Sequence, residues 1–131
     1  MATLLVVDDE KIVRETLQQV FSQRYQCDIA ESAEKALEYV ELRKYDVVIT
    51  DTFMLGMSEL EMLKRVKKRR PGTPVIVMSA RGEEFRELLM EMGAFAFLTK
   101  PFPLEELEFA VSRAIAKREP VMALSLKTSD R

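Results

Sequence analysis

Short apolar runs and longer amphipathic stretches alternate along the whole chain of 131 residues. Leu4-Leu5-Val6-Val7, Val47-Val48-Ile49-Thr50, Val75-Ile76-Val77-Met78 and Phe95-Ala96-Phe97-Leu98-Thr99 lack regular polar alternation. That is the pattern of strands covered on both faces. It predicts strands near 4–7, 26–30, 46–50, 74–79 and 95–98, numbered β1 to β5, and helices near 11–23, 32–43, 58–70, 83–92 and 103–118, numbered α1 to α5. Ser32 is placed to cap α2, whose apolar face is Ala36, Leu37 and Val40. Pro71-Gly72 and Gly93 break the chain after α3 and α4. Pro103 suits the first turn of α5, with Glu105 and Glu106 near its positive end.

Five strand–helix repeats imply an α/β fold, a three-layer sandwich with helices on both faces of a parallel five-stranded sheet. Right-handed crossovers leave few strand orders. The leading one is the flavodoxin-like order 2-1-3-4-5 of a (βα)5 chain, taken over from that class of sheet. Four runs stop on a polar residue: β1 on Asp8-Asp9, β3 on Asp51, β4 on Ser79 and β5 on Lys100-Pro101. In a parallel sheet those stops share one edge. In this order β1 and β3 are neighbours at the switch point, so Asp8, Asp9 and Asp51 converge.

Composition narrows the chemistry. The length suits one domain with a sizeable core. The chain is read as a domain over 1–118, followed by a tail or the start of a linker over 119–131. A net charge of −2 argues against the whole chain being an electrostatic nucleic-acid binder. The absence of histidine excludes a histidine-based triad or zinc site. The single cysteine, Cys27, excludes an internal disulfide and reads as a buried, inert thiol. No run is long enough to span a membrane, so the expected location is the cytoplasm, without membrane contact.

A nucleotide-cradling fold carries glycines after its first strand, whereas this loop reads Asp8-Asp9-Glu10-Lys11. An acidic loop repels bare phosphate unless a cation intervenes. Carboxylates, a backbone carbonyl and water favour a hard divalent cation: Mg²⁺, with Mn²⁺ as the alternative. Asp51 can then act as a nucleophile toward phosphorus, with Lys100 and the Ser79 hydroxyl on other phosphoryl oxygens. Taken singly, each has a commoner role as turn former, cap or solvated cation. Their joint placement on one sheet edge is what speaks for function.

Over roughly residues 3–118 the chain resembles the response regulator receiver domain of two-component signalling, a CheY-like family. The matching motifs are Leu5-Val6-Val7-Asp8-Asp9-Glu10, Val48-Ile49-Thr50-Asp51, Val77-Met78-Ser79-Ala80 and Gly93-Ala94-Phe95-Ala96-Phe97-Leu98-Thr99-Lys100-Pro101-Phe102. The resemblance implies that Asp51 is the phosphoacceptor, receiving phosphate from a sensor histidine kinase or a phosphotransfer protein. It implies that Asp8, Asp9, Asp51 and the Phe53 carbonyl hold Mg²⁺, Asp8 directly or through water. It implies that Lys100 contacts the acyl phosphate, that Lys100-Pro101 is cis, and that Ser79 and Phe97 respond to the phosphoryl group. The chain would be a switch with slow autodephosphorylation rather than an enzyme. Its output surface would be α4-β5-α5, usable for a homodimer through Glu83, Glu84, Arg86, Glu87, Glu105, Glu108, Arg113 and Lys117. An output domain or effector protein would read that surface, and the kinase would dock on α1 near Val13, Arg14 and Leu17.

Departures from the family cluster after Asp51. Met54-Leu55 stands where Met-Pro is common, and Glu59 where a Gly is common, leaving Gly56 to make the turn and Glu59 to favour the positive end of α3. Phe53 and Arg81 occupy positions that tune dephosphorylation in the family. The basic run 64–70 reads as a solvated helix end rather than a nucleic-acid contact. Two rival functions fit these residues less well. An aspartyl-phosphate phosphatase of the haloacid dehalogenase type needs a second Asp where Phe53 stands. A receiver-fold interaction module working without phosphorylation has no need of the acidic pair, Asp51 or Lys100.

Overall fold

The computed structural model describes residues 1–51, 58–80 and 84–130, without the side chains of Glu59 and of residues 118–130. Five strands, β1 (Thr3–Val7), β2 (Gln26–Ala30), β3 (Val47–Asp51), β4 (Val75–Ser79) and β5 (Ala96–Thr99), alternate with five helices. The helices are α1 (Lys11–Phe21), α2 (Ala33–Leu42), α3 (Glu59–Arg69), α4 (Glu84–Glu91) and α5 (Leu104–Asp130). All pairings are parallel, in the order β2-β1-β3-β4-β5. This is the flavodoxin-like order taken over as the leading one for five strand–helix repeats.

Strand alternation sorts the core into two layers. Leu5, Val7, Val48, Val75 and Val77 pack with Ala36 and Val40 of α2, Met62, Leu63 and Val66 of α3, and Leu89 of α4. Leu4, Val6, Val47, Ile49, Ile76 and Met78 pack with Leu17 and Phe21 of α1 and with Leu107, Val111 and Ala114 of α5. Both faces of every central strand are therefore dry, which explains the unbroken apolar runs. Truncating such a buried Leu or Ile to Ala costs about 2–5 kcal/mol.

The local punctuation follows side-chain chemistry. The Ser32 hydroxyl accepts from the Lys35 N–H at 3.1 Å and caps α2. The Ser58 hydroxyl accepts from the Glu61 N–H at 3.2 Å and caps α3. The cap is thus Ser58, while the Glu59 side chain and Leu55 and Gly56 lie outside the described residues. Gly93 has φ 104°, and beyond it the Ala94 N–H bonds back to Leu89 O at 3.0 Å. That conformation after α4 is one an L side chain adopts only with strain.

Two sequence expectations need correction. The last helix does not stop at 118 but runs through Asp130. Met122, Ala123, Leu124, Leu126 and Lys127 are good helix formers and outweigh the missing N–H of Pro120. The basic run at the end of α3 keeps Lys64, Arg65, Lys68 and Arg69 exposed as expected, but Lys67 and Arg70 are only half-exposed. Arg70 donates to the carbonyls of Val40 (3.0 Å) and Glu41 (3.4 Å), and Arg69 pairs with Glu41 at 2.9 Å. Lys67 donates to Pro71 O (2.9 Å) and Thr73 O (3.2 Å). These cations satisfy carbonyls left open at the end of α2 and in the turn before β4.

Candidate functional site

The carboxyl ends of β1, β3, β4 and β5 bring the polar stops together. Asp8 follows β1 directly, its N–H donating to Ala30 O at 3.1 Å, and is fully buried. Asp51 is the last residue of β3 and is 4% exposed. The register Val7↔Thr50 sets these two carboxylates side by side. Lys100 follows β5, and the Lys100–Pro101 peptide is cis. Its Nζ lies 3.2 Å from Asp51 Oδ1 and 3.7 Å from Asp8 Oδ2. Its N–H donates to the Ser79 carbonyl at 2.7 Å, which ties the ends of β4 and β5 together. Ser79 itself is fully buried.

Asp8 is held from several sides. Its Oδ1 accepts from the Glu10 N–H at 2.9 Å, and its backbone carbonyl accepts from Arg14 at 2.9 Å. Its Oδ2 is buried with no hydrogen-bond partner among the described residues. Burial pushes the Asp8 carboxyl up to about 6, and the Asp51 charge adds to the rise. The Glu10 N–H and the Lys100 ammonium oppose it without cancelling it. Carboxylate oxygens of Asp8, Asp9, Glu10 and Asp51 lie within 4.8 Å of one another, with Asp9 and Glu10 open to solvent. One ammonium cannot balance this set. A buried carboxylate oxygen with no hydrogen bond, only the Lys100 ammonium at 3.7 Å, beside other hard oxygen donors fits a hard divalent cation such as Mg²⁺. Glu10 was not among the metal candidates read from the sequence, although it is the third acid of the Asp8-Asp9-Glu10 run.

The remaining candidates fall into three groups. Phe97 is 2% exposed and sits in the layer with Val77 and Leu89, so it is a core aromatic in this state. Phe53 and Arg81 lie outside the described residues. On α1, Leu17 is buried at 7% and is unavailable for docking, whereas Ile12 is 74% exposed. Helical phase decides this: Leu17 faces the sheet with Phe21, and Ile12 turns outward beside the acidic loop. A further concavity lies elsewhere. It is an open groove of about 1400 Å³ along β5 and α5, lined by Arg86, Phe95, Phe109, Arg113 and Lys117 among others. None of Asp8, Asp9, Glu10 and Asp51 lines it, and it belongs to the α4-β5-α5 surface.

A family model of the response regulator receiver domain matches residues 4–112. The chain belongs to that family. This receiver is 37% identical over 123 residues to the DNA-binding transcriptional regulator NtrC of Rhizobium meliloti (strain 1021), covering 91% of the chain and 25% of the relative. It is 35% identical over 106 residues to the transcriptional regulatory protein DltR of Streptococcus agalactiae serotype III (strain NEM316), covering 79% and 47%. The chain therefore spans about a quarter of the NtrC length and under half of DltR. Among solved structures, a response regulator receiver domain from Clostridium thermocellum superposes with TM-score 0.86 at 29% identity, covering 92% of this chain and 99% of that one. NtrX from Brucella abortus gives TM-score 0.86 at 29% identity, covering 95% of this chain and 30% of that one. The receiver is thus a module of two-component response regulators, a class of signalling switch. Among its described residues no helix is long and apolar enough to cross a membrane.

Proposed function

We propose that this receiver is switched by phosphorylation of Asp51. A phosphohistidine on a sensor histidine kinase or phosphotransfer protein is the donor. An Asp51 carboxylate oxygen forms the new bond to phosphorus, the histidine nitrogen–phosphorus bond breaks, and the imidazole nitrogen regains a proton from solvent. The observation that carries the reading is the convergence on Asp51 of Lys100 at 3.2 Å and of Asp8, whose second oxygen is buried without a hydrogen-bond partner.

Each residue of the site has a task in this chemistry. Asp8, Asp9 and Asp51, with the Phe53 carbonyl, would hold Mg²⁺ or Mn²⁺. When bound, the ion supplies positive charge that lowers the repulsion between a carboxylate nucleophile and an incoming phosphoryl group. Lys100 neutralises a phosphoryl oxygen from the β5 side and keeps the carboxylates apart from one another's full charge. The Ser79 hydroxyl donates to another oxygen. Phosphorylation adds about −2 charge, and that charge biases the equilibrium between two arrangements of the β4 and β5 ends, with Phe97 following. Phe53 and Arg81 set how readily water reaches the acyl phosphate, so turnover is slow. The α4-β5-α5 groove, lined in part by Arg86, Arg113 and Lys117, transmits the change to a second copy, an output domain or an effector protein in the cytoplasm.

Incubation with acetyl phosphate and Mg²⁺, followed by intact mass, tests the reading. One phosphoryl adduct is expected, lost in Asp51→Asn and on chelation of Mg²⁺. No adduct, or one that survives Asp51→Asn, sinks it.

A further inference from the structure

Among the described residues, two buried side-chain polar atoms lack a hydrogen-bond partner: Asp8 Oδ2, which the metal reading absorbs, and Thr99 Oγ1, which nothing above uses. Thr99 is the last residue of β5, directly before Lys100. The register pairs Val77 with Phe97 and Ser79 with Thr99 on adjacent parallel strands. Val77 and Phe97 share one core layer, so Ser79 and Thr99, two residues further along each strand, share the same face. A second hydroxyl therefore stands beside the Ser79 hydroxyl at the edge of the site. In this state Ser79 is engaged in an interaction of its own, and Thr99 Oγ1 bonds to nothing described. A buried hydroxyl left unsatisfied is unfavourable, and a native strand retains one where another state uses it.

We infer that Thr99 is a positioning residue for the switch: its hydroxyl donates to Ser79 Oγ once Ser79 donates its own proton to the phosphoryl group. A hydroxyl has one donor and two acceptor sites. When Ser79 points its proton at phosphate, its lone pairs are open to the neighbouring O–H. Thr99 fills one of them, and the chain Thr99 O–H to Ser79 O–H to phosphoryl oxygen polarises along its length. Lys100 shares in the arrangement, because its N–H holds the Ser79 carbonyl at 2.7 Å and keeps β4 and β5 in register. The switch thus gains a bond in the phosphorylated state that it lacks in the resting one. This deepens the phosphoacceptor reading of Asp51 and rests on it.

Beryllofluoride with Mg²⁺, a mimic of the acyl phosphate, is titrated calorimetrically into the wild-type chain, Thr99→Val, Thr99→Ala, Thr99→Ser, Ser79→Ala and the Ser79→Ala/Thr99→Val double variant. Thr99→Val and Thr99→Ala are expected to bind about fivefold more weakly, the worth of one net hydrogen bond. Thr99→Ser keeps wild-type affinity. Thr99→Val has no further effect once Ser79 is Ala, since it acts through that hydroxyl. Without ligand the Thr99→Val melting temperature does not fall, because no bond is lost in the resting state. Wild-type affinity in Thr99→Val and Thr99→Ala, or an equal loss in the Ser79→Ala background, overturns the inference alone. Failure of the wild-type chain to bind overturns the Asp51 reading and the inference with it.

Discussion

Replacing Asp8 by Asn should stabilise the metal-free protein. Asp8 is fully buried, and its carboxyl is pushed up to about 6 from 3.8 by burial and by Asp51. Each pKa unit is worth 1.36 kcal/mol, so the ionised form costs the fold about 3 kcal/mol at neutral pH. The folded state holds the Asp8 proton more tightly than the unfolded chain. This contribution is therefore fully present below pH 3.8 and is lost as pH rises through about 6. Asn keeps the shape and removes the charge, and the charge-assisted bond from the Glu10 N–H is already contained in the net shift. The gain at pH 7.5 is about 3 kcal/mol, or about 10 °C in Tm for a chain of this size. Thermal unfolding in EDTA between pH 4 and 8 reads it: the two proteins converge toward pH 4, separate as pH rises to about 6, and stay a constant distance apart above it. Mg²⁺ at a hundredfold excess over Kd should then stabilise the wild type by about 2.7 kcal/mol and the variant far less. A variant less stable than wild type in EDTA at pH 7.5, or parallel pH curves, would refute the electrostatic reasoning.

Further outcomes follow from other parts of the molecule. Gly93→Ala should cost about 1–2 kcal/mol in urea unfolding; its Cβ would meet Lys67 at an ordinary 3.6 Å, so the penalty comes from the backbone at φ 104°. Arg70→Met should cost about 1–2 kcal/mol by opening the carbonyls of Val40 and Glu41, without impairing phosphorylation of Asp51. Phe53→Asn and Arg81→Ala should change the phosphoryl lifetime, measured as decay of the adduct after removal of acetyl phosphate; unchanged decay in both removes them as tuning residues.

How far the sequence could be read depended on whether one residue or one contact was at issue. Strands covered on both faces leave unbroken apolar runs, so β1, β3 and β4 were legible, and the repeat implied a parallel sheet, whose strand order was taken over from the flavodoxin-like class. Ser32 and Gly93 were legible because a cap and a left-handed turn demand particular residues. The convergence of Asp8, Asp51 and Lys100 was legible once the strand order was assumed. The facing of α1 was not, since Val13, Arg14 and Leu17 were all taken as a docking surface until helical phase against the sheet placed Leu17 inside. Nor was the use of Arg69 and Arg70, whose partners Glu41 and Val40 belong to another helix. Thr99 gave no signal at all: a threonine ending a strand is ordinary, and only its unpartnered buried hydroxyl marks it. The end of α5 was misread because residues 119–131 were taken as a tail or the start of a linker.

The central claim is that one carboxylate, Asp51, takes the phosphoryl group. Borohydride reduction of the chain treated with acetyl phosphate and Mg²⁺ converts an aspartyl phosphate to homoserine, which peptide mass spectrometry can place. The account predicts homoserine at position 51 alone, absent when acetyl phosphate or Mg²⁺ is withheld. Homoserine at position 8 or 9, or at no position in a chain that carries the adduct, would contradict it.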